Sequence, residues 1–172
     1  MPEQQTVPEK DLGIGLTKAN HVGIAVRDLD RSIAFYRALT GREPFVRDRM
    51  AGIEPMYGAR LTGRVRPGGA MLRYATVQLT NINIDIIQFE EPTPGTAEAG
   101  PSDAGAMHLC FEVGDLDAVY DRMTAAGIAF DAPPFTFDED NAPKAVGTQV
   151  AYFSDPDGVS LELISPAGSF SR

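Results

Sequence analysis

The chain contains two histidines, His21 and His108, and each opens a segment of the same design. Residues 21–30 read HVGIAVRDLD and residues 108–117 read HLCFEVGDLD. Carboxylates occupy matching places later in each half, Asp85 within Ile84-Asp85-Ile86-Ile87 and Glu162 within Leu161-Glu162-Leu163-Ile164. Imidazole with carboxylate suits borderline divalent ions such as zinc, nickel, iron, cobalt or manganese. Four ligands, His21, Asp85, His108 and Glu162, would leave positions for water or substrate on a five- or six-coordinate ion. A lone histidine is ordinarily a satisfied packing residue. Two histidines and two carboxylates at equivalent repeat positions point instead to one shared ion.

The elements that must position these groups follow from the same repeat. Each His-led strand runs into a helix-like stretch, RSIAFYRALTG at 31–41 and AVYDRMTAAG at 118–127, and each stretch ends in glycine, as helices commonly do. Asp28 or Asp30, and Asp115 or Asp117, stand where a carboxylate caps a helix start. Strands are expected at Met71–Leu79 and Ile82–Phe89, then at Gln149–Ser154 and Val159–Ile164. The last two flank the turn signal Asp155-Pro156-Asp157-Gly158. Side chains alternate along a strand, so Leu109, Phe111 and Val113 share the helix-facing side, while His108 shares the other with Cys110 and Glu112. By the same count, Val22, Ile24, Val26, Ile84 and Ile86 face the first helix, and His21 and Asp85 face away. Two half-sheets that curve together would line one cleft with all four candidate ligands.

The Pro-, Gly- and acid-rich segment Glu90–Asp103 separates the halves, giving modules at 17–95 and 104–168 with a linker at 96–103. A hydrophobic content of 43% supports a packed core. No apolar run is long enough to cross a membrane, and the polar N-terminus does not read as a secretory leader. The first dozen residues and the last few are expected to be mobile. With Cys110 as the one cysteine, no internal disulfide can form, and a cytoplasmic setting is the expectation. The net charge of −9 argues against a nucleic-acid partner. The charge is uneven, because residues 42–73 hold seven arginines against three acids. That stretch reads either as a seat for an anionic small molecule or, the plainer alternative, as a solvated loop. Its length and lack of period suggest a segment that covers the cleft. Tyr57, Phe45, Tyr74 and Phe137 could line the cleft, and Arg60 and Arg73 could meet an anion. Core packing and surface ion pairs are the plainer roles.

On these residues the chain resembles the vicinal oxygen chelate superfamily, the group of glyoxalase I, bleomycin-resistance proteins, methylmalonyl-CoA epimerase and extradiol dioxygenases. The resemblance rests on His-Val-Gly-Ile-Ala-Val followed by Asp-Leu-Asp-Arg-Ser-Ile-Ala-Phe-Tyr, and on Asp155-Pro156-Asp157-Gly158 leading into Leu-Glu-Leu-Ile. It covers about residues 17–168. It implies an α+β fold of two βαβββ modules, forming an open curved mixed sheet around a central cleft with helices outside. His21 and His108 match first-strand metal ligands, and Glu162 matches the last-strand glutamate. Asp85 departs from the usual glutamate or glutamine and is one methylene shorter than glutamate. The resemblance also implies a homodimer, with a complete site expected within each two-module chain.

The chemistry implied is a small oxygen-chelating substrate whose enolate is stabilised by the metal while a carboxylate moves a proton on carbon. An isomerase, lyase or epimerase with Glu162 and Asp85 as candidate bases is the leading expectation. The alternatives are an Fe(II)-dependent extradiol-type dioxygenase using His21, His108 and Glu162, and a non-catalytic binder of an antibiotic or other small molecule.

Overall fold

A computed structural model describes residues 16–46, 49–61, 64–95 and 100–171. The N-terminal dozen, Arg47, Asp48 and residues 96–99 of the expected linker lie outside the described residues. The first module runs β1 (His21–Ala25), α1 (Leu29–Thr40), β2 (Phe45–Val46), β3 (Met50–Ala51), α2 (Glu54–Tyr57) with a 3-10 turn at Gly58–Arg60, β4 (Met71–Gln78) and β5 (Asn83–Glu91). The second runs β6 (His108–Glu112), α3 (Leu116–Ala125), β7 (Phe135–Thr136), β8 (Gln149–Ser154) and β9 (Ser160–Ser165), with a final 3-10 turn at Gly168–Phe170. One sheet has the order β1-β5-β4-β2, with β3 also paired to β4, and the other has the order β6-β9-β8-β7. The first and last long strands of each module are parallel neighbours, and the last two form an antiparallel hairpin. This is the α+β architecture of two related modules.

The caps resolve the paired alternatives in the sequence. Asp28 accepts from the Arg31 amide at 3.0 Å, and Asp115 accepts from the Ala118 amide at 3.0 Å. Asp30 and Asp117 instead lie in the first turns, where negative charge favours the positive end of the helix dipole. Gly41 ends α1 with φ 65°, a left-handed conformation that a Cβ would strain. The helix-facing residues of both modules, among them Ile24, Ile33, Ile84, Ile86, Leu116, Phe153, Leu161 and Leu163, form one continuous buried core. Among the described residues, no helix is long and apolar enough to cross a membrane.

The long irregular stretch expected after α1 holds β2, β3, α2 and the 3-10 turn. Ile53 and Leu61 are buried with Leu72 and Ala70, and Tyr57 and Val65 pack there beside Tyr74, Ile87 and Phe89. In β5, Ile87 and Phe89 share the face of Asp85. The segment therefore forms a wall on the same side of the first sheet as the candidate ligand. Glu54, nearly buried, pins it by accepting from the backbone amides of Gly68 and Ala70.

Candidate metal centre

Strand register places each histidine beside its carboxylate. In the parallel β1–β5 pair, His21 stands opposite Asn83 and Gly23 opposite Asp85. In β6–β9, His108 stands opposite Ser160 and Cys110 opposite Glu162. The offset is identical, so the repeat seen in the sequence is a repeat of geometry. His108 Nε2 lies 3.0 Å from Glu162 Oε2, whereas His21 Nε2 lies 3.9 Å from Asp85 Oδ2. The shorter reach of aspartate accounts for the wider gap. Both imidazoles are about half exposed, at 50% and 49%, while Asp85 is 22% and Glu162 9% exposed at the side chain.

Each carboxylate has a hydroxyl partner that the sequence reading did not pick out. In the β4–β5 hairpin, Thr76 stands opposite Asp85, and in β8–β9, Tyr152 stands opposite Glu162. Thr76 Oγ1 donates to Asp85 Oδ1 at 2.7 Å. Tyr152 and Cys110 stand opposite Glu162 on the two neighbouring strands, and the Tyr152 ring meets the His108 ring edge-on at 5.6 Å. Burial, followed by the charge and hydrogen bond of Glu162, pushes both Cys110 and Tyr152 up to about 12. Both therefore remain protonated donors at neutral pH, and Cys110 is not a thiolate nucleophile. His21 is oriented from its other side, with Nδ1 2.8 Å from Asn20 Oδ1, which favours the tautomer leaving Nε2 free to accept or ligate.

These donors fit a divalent ion two at a time. Metal–ligand bonds of about 2.0–2.2 Å set two neighbouring ligand atoms about 3 Å apart, which is the His108–Glu162 separation. The His21–Asp85 pair is about 1 Å wider than that. Among the described residues, no three His, Cys, Asp or Glu groups stand together as a metal site. The four candidate residues stand as two pairs, His21 with Asp85 and His108 with Glu162. Of the aromatic residues considered for the cleft, Tyr57 and Tyr74 belong to the wall over the Asp85 face. Phe137 instead packs between Phe135 and Phe170. Arg73 is taken up by Asp30 at 3.4 Å.

Comparison with known proteins agrees with this architecture. Residues 18–163 match the model of the Glyoxalase/Bleomycin resistance protein/Dioxygenase superfamily. A 2-epi-5-epi-valiolone epimerase from Actinomyces sp is 29% identical over 167 residues, covering 90% of this chain and 83% of that protein. An ethylmalonyl-CoA/methylmalonyl-CoA epimerase from Cereibacter sphaeroides is 30% identical over 113 residues, covering 64% of this chain and 71% of the relative. Among solved structures, a glyoxalase family protein from Bacillus cereus superposes with a TM-score of 0.66 at 20% identity, over 92% of this chain and all of that one. A glyoxalase/dioxygenase from Nostoc punctiforme gives 0.58 at 20% identity, over 94% of this chain and 99% of its own. The repeated modules, the family match and the epimerase relatives lead to one statement: the chain belongs to the Glyoxalase/Bleomycin resistance protein/Dioxygenase superfamily.

Proposed function

We propose that this protein is a metal-dependent epimerase or isomerase that moves a proton on a carbon next to a substrate oxygen. His21, Asp85, His108 and Glu162 are the residues that would hold the divalent ion. When bound, the ion supplies positive charge where the substrate oxygen becomes negative. Glu162 takes the proton from carbon, and the C–H electron pair moves into the adjacent carbonyl to give an enolate. Asp85 passes a proton from solvent to the opposite face of that carbon and completes the inversion; the reverse reaction exchanges their roles. Thr76 holds Asp85 in place while it acts, and Tyr152 stands opposite Glu162.

The observation that carries this reading is Glu162, a nearly buried carboxylate 3.0 Å from His108 with Cys110 and Tyr152 opposite it on the neighbouring strands. The epimerase relatives support the same reaction class. Exchange of substrate hydrogen with D₂O is the test, using methylmalonyl-CoA, ethylmalonyl-CoA and 2-epi-5-epi-valiolone as candidate substrates. Glu162→Gln is expected to lower exchange about 10²–10⁴-fold with the metal retained. Full exchange by that variant would overturn the proposal. The shared ion has its own measurement, because His21→Ala and His108→Ala should each empty the site in metal analysis. An ion that survives either change belongs to one pair alone.

One feature favours a second reading. Asp85 is turned toward Thr76 and stands 3.9 Å from His21, which leaves His21, His108 and Glu162 as a two-histidine, one-carboxylate set. That set suits Fe(II) oxygenation. Asp85→Asn separates the two readings. It should abolish inversion in the epimerase, leaving only the exchange that Glu162 performs on one epimer, and it should spare oxygen uptake on a catechol in an Fe(II) oxygenase.

A further inference from the structure

Five of the ten arginines in the described structure have a carboxylate partner. Arg27 and Arg31 share Asp157, Arg37 meets Glu43, Arg49 meets Glu90, and Arg73 meets Asp30. Arg60, Arg64 and Arg66 are exposed on the wall over the Asp85 face and form no ion pair among the described residues. Acids outnumber bases by nine in this chain, so unpaired arginines gathered within seven residues are not a shortage of partners. Arg42 and Arg122 are also unpaired, but they line a different hollow, between α1 and α3.

Arg64 lines a cavity of about 520 Å³ at the junction of the modules. The cavity walls include Ala25, Phe89, Met107 and Ser160. By strand alternation, Ala25 shares the face of His21, Phe89 that of Asp85, and Ser160 that of Glu162. The cavity therefore continues both ligand-bearing faces. Ser160 precedes Glu162 by two residues, about 7 Å of strand, and Ala25 follows His21 by four, about 13 Å. The charged residues lining the cavity are Arg27, Arg64 and Asp157. Asp157 is already shared by two guanidinium groups, at 2.6 and 3.0 Å, so the balance at the cavity is positive. Leu61, Phe89 and Met107 add an apolar surface beside the charge.

We propose that this cavity is an anion subsite in which Arg64 binds the phosphate or pyrophosphate group of the substrate. The group is joined to the reacting carbon by a spacer on the order of 10 Å that lies over Leu61, Phe89 and Met107. A guanidinium fork suits a phosphate because two parallel N–H groups meet two oxygens. The position of the reacting carbon rests on the proton-transfer reading above; the anion site itself does not. The phosphate could belong to a thioester carrier or to a phosphorylated sugar-like skeleton, and the experiment separates these sources.

The test titrates the full chain with inorganic pyrophosphate by calorimetry, with no turnover involved, so that it stays readable if the catalytic proposal fails. Arg64→Ala should weaken binding tenfold or more. Arg64→Lys should recover part of it, Arg42→Ala should leave it unchanged, and added salt should weaken it in the wild type. Absence of pyrophosphate binding, or equal binding by Arg64→Ala, overturns the proposal. Competition then identifies the source: displacement by coenzyme A assigns the anion to a thioester carrier, and displacement by glucose 6-phosphate assigns it to a phosphorylated skeleton. Displacement by neither also overturns it.

Discussion

Thr76 and Tyr152 have little in common except a hydroxyl and a place opposite a carboxylate. Their equivalence is invisible until strand register is known, because it depends on which residue of one strand faces which of the next. The histidines and carboxylates were legible in the sequence because they sit at fixed distances within a repeated motif. The hydroxyls sit on the partner strand, at a distance set by hairpin length, and the two hairpins differ in length. A hydroxyl donor to an ionised carboxylate contributes about 1.5–3 kcal/mol. Tyr152→Phe keeps the ring against His108 and removes the hydroxyl of the residue opposite Glu162. If Glu162 moves the proton, kcat should fall about tenfold or more, with the midpoint of urea unfolding nearly unchanged. Steady-state kinetics beside a denaturation curve checks both halves. A variant with wild-type kcat would show that the hydroxyl does not position the base.

At the scale of elements, the long strands and both long helices were legible because periodicity, aspartate caps and terminal glycines agree. Only the boundaries moved, as for β5, expected at Ile82–Phe89 and found at Asn83–Glu91. The wall between α1 and β4 was legible only as a long segment over the cleft. Its pieces run from two to four residues, too short for any hydrophobic period to show. Its anchor, Glu54, was also missed, because a carboxylate tied to backbone amides looks like any other acid in a charge count. Those amide bonds, its own first and then that of Gly68, hold the Glu54 carboxyl below its ordinary range against the opposing effect of burial. The capping assignments make a direct prediction. Asp28→Ala should cost about 1 kcal/mol, by leaving the Arg31 amide without its acceptor, and Asp30→Ala should cost less. Urea unfolding of the two variants is the measurement, and an equal or reversed order would contradict the capping geometry.

Across the whole molecule, the two modules are joined on one side by a polar clasp. The α1 hydroxyl of Tyr36 donates to buried Asp155 at 3.1 Å, and Arg27, Arg31 and Ser32 converge on Asp157. In the repeat, Gly114, Ala118, Val119 and Met123 replace Arg27, Arg31, Ser32 and Tyr36, and Leu79–Ile82 replaces the aspartate turn. That side is an open hollow instead, with Leu79, Ile82, Val119 and Met123 among its walls beside Arg42 and Arg122. The duplicated modules have thus diverged most at their junction, which a comparison of motifs alone could not reveal. Burial opposes ionisation of Asp157, but hydrogen bonds from Arg27 and the charge of Arg31 prevail and hold its carboxyl below the ordinary range. A lowered folded value means that the clasp stabilises the protein fully above the unfolded carboxylate value of about 4. The stabilisation is lost as pH falls from there through the folded value. Asp157→Asn should therefore cost about 1–3 kcal/mol at pH 7, since it leaves two half-exposed guanidinium groups without their shared partner. The gap between wild type and variant should narrow below about pH 4 as the wild-type carboxyl takes up its proton. Because both proteins carry every other titrating group, the difference between their urea unfolding curves at pH 7, 5 and 3 isolates this one. A gap that stays constant across that range would mean that Asp157 joins the modules by shape rather than by charge.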